Sequence, residues 1–126
     1  MPEKEFVTWQ RVEEFVNYVA QNVDTPITGV YGLPRGGLIL AVMLSHKLGV
    51  PMLMSPATGC IIVDDICDSG ESLLHYVKDT SGIDPKDKAY QVATMYYKDN
   101  RLGIKPDIYA HTKGDKWIVF PWEMED

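Results

Sequence analysis

Four apolar residues, Cys60-Ile61-Ile62-Val63, run directly into Asp64-Asp65-Ile66-Cys67-Asp68 and then into Ser69-Gly70-Glu71-Ser72. An apolar run with no polar alternation suits a strand covered on both faces, which is a property of parallel sheets. The Ser-Gly turn behind it opens a predicted helix from Gly70 to about Thr80. A strand that must be buried on both sides, with a helix following at once, confines the chain to a narrow set of α/β architectures.

The remaining pattern agrees with that constraint. Thr8 is a helix cap, and Val12, Phe15, Val16 and Val19 form one apolar stripe on a helix to about Asn22. Asp24-Thr25-Pro26 ends it, and Ile27 to Tyr31 reads as a strand. Gly36-Gly37 opens a second helix to about Leu48, closed by Gly49 and Pro51. Pro51 to Met54 is a brief strand, Ser55 to Gly59 a turn, and Cys60 to Val63 the buried strand. After the third helix come a polar loop, Ser81 to Lys88, and a strand at Tyr90 to Tyr97. Asp107 to Ala110 and Trp117 to Phe120 are the last two extended segments. Strands alternating with helices predict an α/β fold with a parallel, doubly wound sheet. In such a sheet ligands bind beyond the carboxyl ends of the strands, where strand order reverses.

With 126 residues the chain is read as a single domain, 1–126. Twelve Lys and Arg against 18 Asp and Glu give a net charge of −6, with no basic block, which argues against nucleic-acid or anionic-membrane binding. Apolar stretches fall far short of the roughly 20 residues that span a bilayer. The charged start, MPEKEF, predicts no secretory leader. Cys60 and Cys67 fit reduced thiols of a cytoplasmic protein rather than a disulfide framework. His46, His75 and His111 have no ligand spacing.

Two loops carry chemistry. In Ser69-Gly70-Glu71-Ser72, successive amides and two hydroxyls at a helix start make an anion cradle. Asp64, Asp65 and Asp68 just before it favour cations and sugar hydroxyls, so phosphate and diol seats lie side by side, as a ribose 5-phosphate requires. The same residues also fit solvated acids with a helix cap, or a receiver-type magnesium site. A receiver needs a phosphoacceptor aspartate elsewhere, and the one candidate, Asp99, comes after the turn rather than before it. In Leu33-Pro34-Arg35-Gly36-Gly37, the glycines allow close approach to an anion and Arg35 offers a planar cationic fork. That loop serves equally as a tight strand-to-helix connection.

The segment Ile61 to Leu73 resembles the phosphoribosyl-pyrophosphate (PRPP) signature of type I phosphoribosyltransferases. Val7-Thr8-Trp9, Pro34-Arg35-Gly36-Gly37-Leu38, Lys98 and Trp117-Ile118-Val119-Phe120-Pro121-Trp122-Glu123-Met124 resemble the bacterial xanthine-guanine (6-oxopurine) members. The resemblance implies the family's sheet with a small hood built from the termini. It implies purine salvage by transfer of the 5-phosphoribosyl group from PRPP to guanine, xanthine or hypoxanthine, with magnesium (Mg2+) as cofactor. Asp64 and Asp65 would hold the ribose hydroxyls, directly or through magnesium, and Asp68 would manage the purine N7 proton. Asp68, Ser69, Gly70, Glu71 and Ser72 would seat the 5′-phosphate, and Leu33, Pro34, Arg35, Gly36 and Gly37 the pyrophosphate. Lys98, Trp117 and Ile118 would bind the base, although a solvated strand end and core packing also account for Lys98 and Trp117. A homo-oligomer, dimer or tetramer, is expected by the same resemblance.

The chain departs from the family in two places. Only Ser55 to Gly59 joins the second strand to the acidic strand, too short for the family's mobile lid. Glu71 puts an acid in the phosphate turn. A lidless PRPP- or nucleotide-binding module without turnover is therefore the alternative expectation.

Overall fold

The computed structural model describes residues 3–79 and 89–123. The order is β1 (Lys4–Phe6), α1 (Trp9–Asn22), β2 (Val30–Gly32), α2 (Gly36–Leu48), β3 (Ile61–Cys67), α3 (Glu71–Leu73), β4 (Gln91–Tyr97), β5 (Ile108–Thr112) and β6 (Trp117–Val119). Beyond α3 the helix widens into a π-type turn, Leu74–Asp79. Thr80 and the loop expected at 81–88 lie outside the described residues.

Strands β2, β3, β4 and β5 form one parallel sheet in that order. Met52 bridges Val30 in parallel on the far side of β2. The chain thus steps outward from β2 at Met52 and returns to its other flank at β3. Strand order therefore reverses between β2 and β3, which opens a crevice beyond their carboxyl ends.

The core lies on both faces of the sheet. Ile61 and Val63 pack with Val30, Ala93, Met95 and the inner faces of α1 and α2. Ile62 and Cys67 pack on the opposite side with Leu33, Leu73, Val77, Val92 and Tyr97. The α1 stripe of Val12, Phe15, Val16 and Val19 is buried as its spacing requires, and Thr8 Oγ1 accepts the Arg11 N–H at 3.1 Å. Helix α2 ends at Gly49, whose φ of 67° is a left-handed cap.

Several boundaries differ from the sequence reading. The acids were expected beyond the buried strand, but β3 continues through Cys67, and the β4 residues up to Tyr97 pair with it. Backbone pairing tolerates the carboxylates because β3 is a central strand whose N–H and C=O groups need partners. The second strand is Val30–Gly32 rather than Ile27–Tyr31, and the segment at Pro51–Met54 reduces to the Met52 bridge. Val30 is level with both Met52 and Ile61, so the intervening link turns back at the amino end of the sheet. The helix expected over Gly70–Thr80 is only partly α-helical.

Strand β1 was not expected. It pairs in parallel with β6, so Trp117–Val119 belongs to a separate two-stranded sheet, the hood. A polar triangle ties that hood to the main sheet. Tyr96 Oη donates to Glu5 Oε2 at 2.6 Å, and Arg11 Nη1 donates to both at 2.9 Å. The two donors lower the Glu5 pKa, the Tyr96 hydrogen bond foremost. Phe120 and Trp122 stack at 5.1 Å, and Trp122 meets Trp9 at 5.9 Å, which seats the hood on the start of α1.

Gly37 sets how closely α2 approaches β3, because a Cβ there would strike the Val63 carbonyl. Backbone on backbone cannot yield as a side chain can. Gly37→Ala is expected to cost about 1–3 kcal/mol of stability, the usual penalty of overpacking, read from chemical denaturation.

Candidate active site

The loops at the carboxyl ends of β2 and β3 build the crevice. After β2, the Leu33 amide donates to the Val63 carbonyl at 3.0 Å, and the Leu33 carbonyl accepts the Gly37 N–H at 2.8 Å. Leu33 is buried with both backbone groups committed, whereas Pro34 and Arg35 are exposed. The Pro34–Arg35 peptide is cis. A Cβ on Gly36 would run into the Asp65 carboxylate, so this position admits no side chain while the two loops sit this close.

The acids of β3 line different hollows, although their carboxyls remain within hydrogen-bonding reach of each other. Asp64, 8% exposed, faces a small hollow of about 80 Å³ with Asp68, Ser69, Gly70 and Ser72. Asp65 opens on the α2 side, into a broad cleft of about 780 Å³ shared with Arg35, Gly36, Trp122 and Glu123. The structure therefore brings the Ser-Gly turn to Asp64 and Asp68, and the Arg35 loop to Asp65. The cleft wall formed by Trp122 and Glu123 is an addition to the expected site residues, although both lie in the Trp117–Met124 segment.

Both acids carry a strained charge. Burial, then repulsion from Asp65, pushes the Asp64 carboxyl well above the usual carboxylate range. Burial also raises Asp65, with Glu123 adding repulsion and local hydrogen bonds opposing it. Each oxygen contact in view is local: Asp64 Oδ1 accepts the Asp65 N–H at 2.8 Å, and Asp65 Oδ1 accepts the Ile66 N–H at 2.7 Å. Buried carboxylates without a paired cation suit a hard cation or sugar hydroxyls. Among the described residues no three His, Cys, Asp or Glu side chains converge on one metal position. A magnesium ion at Asp64 and Asp65 would accordingly share its coordination with ligand oxygens.

In the Ser-Gly turn, Gly70 has φ of 82° and Ser69 Oγ accepts the Glu71 N–H at 3.2 Å. The Glu71 side chain is exposed. Cys67 is no nucleophile: burial, with Asp64 and Asp68 nearby, lifts its thiol to about 11.

Lys98, just past β4, is exposed, with its N–H donating to the Cys67 carbonyl at 2.9 Å, next to Asp68. Trp117 stands on the hood at 62% exposure, its ring free on the surface, while Ile118 is buried. A residue that the sequence does not single out also reaches the site. Lys113, just past β5, places Nζ 3.6 Å from Asp68 Oδ2. No local spacing announces it, because the contact depends on three strands lying in register.

No family model matches the chain. The xanthine-guanine phosphoribosyltransferase of Idiomarina loihiensis is 25% identical over 146 aligned positions, covering 94% of this chain and 86% of that protein. Its counterpart from Cereibacter sphaeroides is 26% identical over 150 positions, with the same coverage. Both alignments exceed the chain's 126 residues, so each relative carries residues that this chain lacks. The crystal structure of the purine phosphoribosyltransferase from Pyrococcus horikoshii superposes with a TM-score of 0.78 at 28% identity, covering 98% of this chain and 96% of that one. In fold and in likeness across nearly its whole length, the chain is similar to purine phosphoribosyltransferases of type I. Among them it resembles the bacterial xanthine-guanine members.

The raised carboxyls make a pH prediction. The folded chain holds these protons more tightly than the unfolded chain, so the pair costs stability as pH rises from about 4 through the raised folded values. Asp64→Asn removes the charge and keeps an acceptor for the Asp65 N–H. At pH 8 the variant is expected to unfold later than the parent, by about 0.5–2 kcal/mol. The gain should shrink toward pH 4 when thermal unfolding is followed across that range.

Proposed function

We propose that the protein transfers the 5-phosphoribosyl group of PRPP to a 6-oxopurine, releasing pyrophosphate and a nucleoside monophosphate. The observation that carries this reading is that the Ser-Gly turn with Asp64 and Asp68, and the Arg35 loop with Asp65, line hollows on either side of the end of β3; the exposed Lys98 and Trp117 support a place for a base. A module that only binds PRPP has no use for the last two.

The site's chemistry rests on its own groups. The Ser69–Ser72 turn seats the 5′-phosphate, with the Ser69 hydroxyl giving up its bond to the Glu71 N–H so that this amide meets the ligand. Asp64 and Asp65 engage the ribose hydroxyls. In the reaction the C1′–O bond of PRPP breaks, its electron pair leaves with pyrophosphate, and purine N9 bonds to C1′. Arg35 and the amides behind it stabilise the charge that gathers on pyrophosphate. The proton on N7 passes to the Asp68 carboxylate. Lys98 donates to the 6-oxo group and so disfavours a 6-amino purine, and Trp117 stacks on the ring. Magnesium held between Asp64, Asp65 and ligand oxygens would neutralise phosphate charge.

The same reading takes a cytoplasmic homo-oligomer, a dimer or tetramer. It is supported by Cys60 and Cys67 as unpaired thiols and by exposed Leu38 and Val42 on one side of α2. Among the described residues no helix is long and apolar enough to cross a membrane.

The test is consumption of PRPP with guanine, xanthine, hypoxanthine and adenine, with and without magnesium. Transfer to oxopurines and not to adenine is expected, with kcat falling about 10²–10⁴-fold in Asp68→Asn. Trp117→Ala should raise KM for the base about tenfold, the worth of one stacking contact, and leave KM for PRPP nearly unchanged. Clean folding with PRPP binding but no transfer to any of these bases would replace the proposal with the binding module.

A further inference from the structure

The reaction proposed above uses Asp68 and Lys98 and leaves Lys113 without a part. Cys67, Tyr97 and Thr112 are register partners at the carboxyl ends of β3, β4 and β5. The next residues on the three strands are Asp68, Lys98 and Lys113. Sheet geometry persists one step further at two of them: the Lys98 N–H donates to the Cys67 carbonyl at 2.9 Å, and the Lys113 N–H to the Tyr97 carbonyl at 2.7 Å.

A lysine at a strand end ordinarily lays its stem on the protein and sends its ammonium into water. Lys113 is only 13% exposed, and its Nζ lies 3.6 Å from Oδ2 of Asp68, which is itself 53% exposed. The Gly114 carbonyl, at 3.5 Å, is its other acceptor. Among the described residues Lys113 is the one cation paired with Asp68. The covered side chain thus ends at the carboxylate on which the proposed proton transfer depends.

We propose that Lys113 is a positioning residue for this reaction, anchoring the Asp68 carboxylate at the rim of the hollow so that it meets the N–H of the incoming base. The role rests on the phosphoribosyl-transfer reading. A half-exposed ion pair contributes little to folding, whereas misplacing a proton acceptor by an ångström costs turnover heavily. A stitch between β3 and β5 would show the opposite balance.

The experiment compares Lys113→Met and Lys113→Arg in the full chain, each with Asp68 intact and with Asp68→Asn, by steady-state kinetics with PRPP and guanine. Lys113→Met is expected to lower kcat about tenfold with KM for PRPP changed less than about twofold. Lys113→Arg should restore most of the loss. In the Asp68→Asn background, Lys113→Met should cost nothing further, because the two act as one unit. Thermal unfolding of both variants within a few degrees of the parent separates positioning from loss of fold. Should Lys113→Met fail to fold, Lys113→Gln takes its place in the same cycle. Full kcat in the Met variant, or an undiminished loss in the Asp68→Asn background, overturns the role of Lys113 while leaving the transfer reaction standing. A parent protein that transfers to no oxopurine overturns both.

Discussion

The fold places two carboxylates where the interior is least able to solvate them. Asp64 and Asp65 continue a central strand just past the last residue that β2 pairs, Val63, with Asp64 still in register with Thr94 of β4 and with apolar packing on both faces of the strand. Desolvation and mutual repulsion make their charge costly. Nothing in the packing of β3 gains from acids there, which is what the proposed engagement of ribose hydroxyls would explain. Around that constraint the rest is arranged: Gly36 and Gly37 bring α2 close on one side, and the Ser-Gly turn closes the other. The two carboxyls line different hollows yet stay within hydrogen-bonding reach of each other.

Much of this architecture was legible in the sequence, and the reason is locality. The Thr8 cap, the α1 stripe and the glycines bounding α2 are decided within a turn or two of helix, and the structure has them where the spacing puts them. The unalternating Ile61–Val63 run marked a strand buried on two faces, and it is one. What escaped was set at long range. Strand β1 is a charged tripeptide whose only reason to extend is its partner at Trp117–Val119, at the other end of the chain. The end of β3 was misplaced because hydropathy reads acids as loop, while hydrogen-bonding demand from β4 keeps them in the sheet.

The site shows the same division. The Ser-Gly turn and the Arg35 loop could be found as motifs, since each is a contiguous peptide whose amides do the binding. Lys113 could not, because its relation to Asp68 exists only once Cys67, Tyr97 and Thr112 are aligned. Trp122 and Glu123 reach Arg35 only through the aromatic stacking that docks the hood on α1.

The link between Met52 and Ile61 turns back at the amino end of the sheet. It is held there by Thr28 N–H to the Gly59 carbonyl at 3.0 Å, Gly59 N–H to the Ala89 carbonyl at 2.7 Å, and the bridge at Val30. Both anchored ends of the link thus sit level with Ile61 or before it, short of Asp64 along the sheet. Under the proposed reaction, a link so short and so tightly anchored cannot serve as a flap over the acids, so selectivity would rest on walls that the described residues already fix.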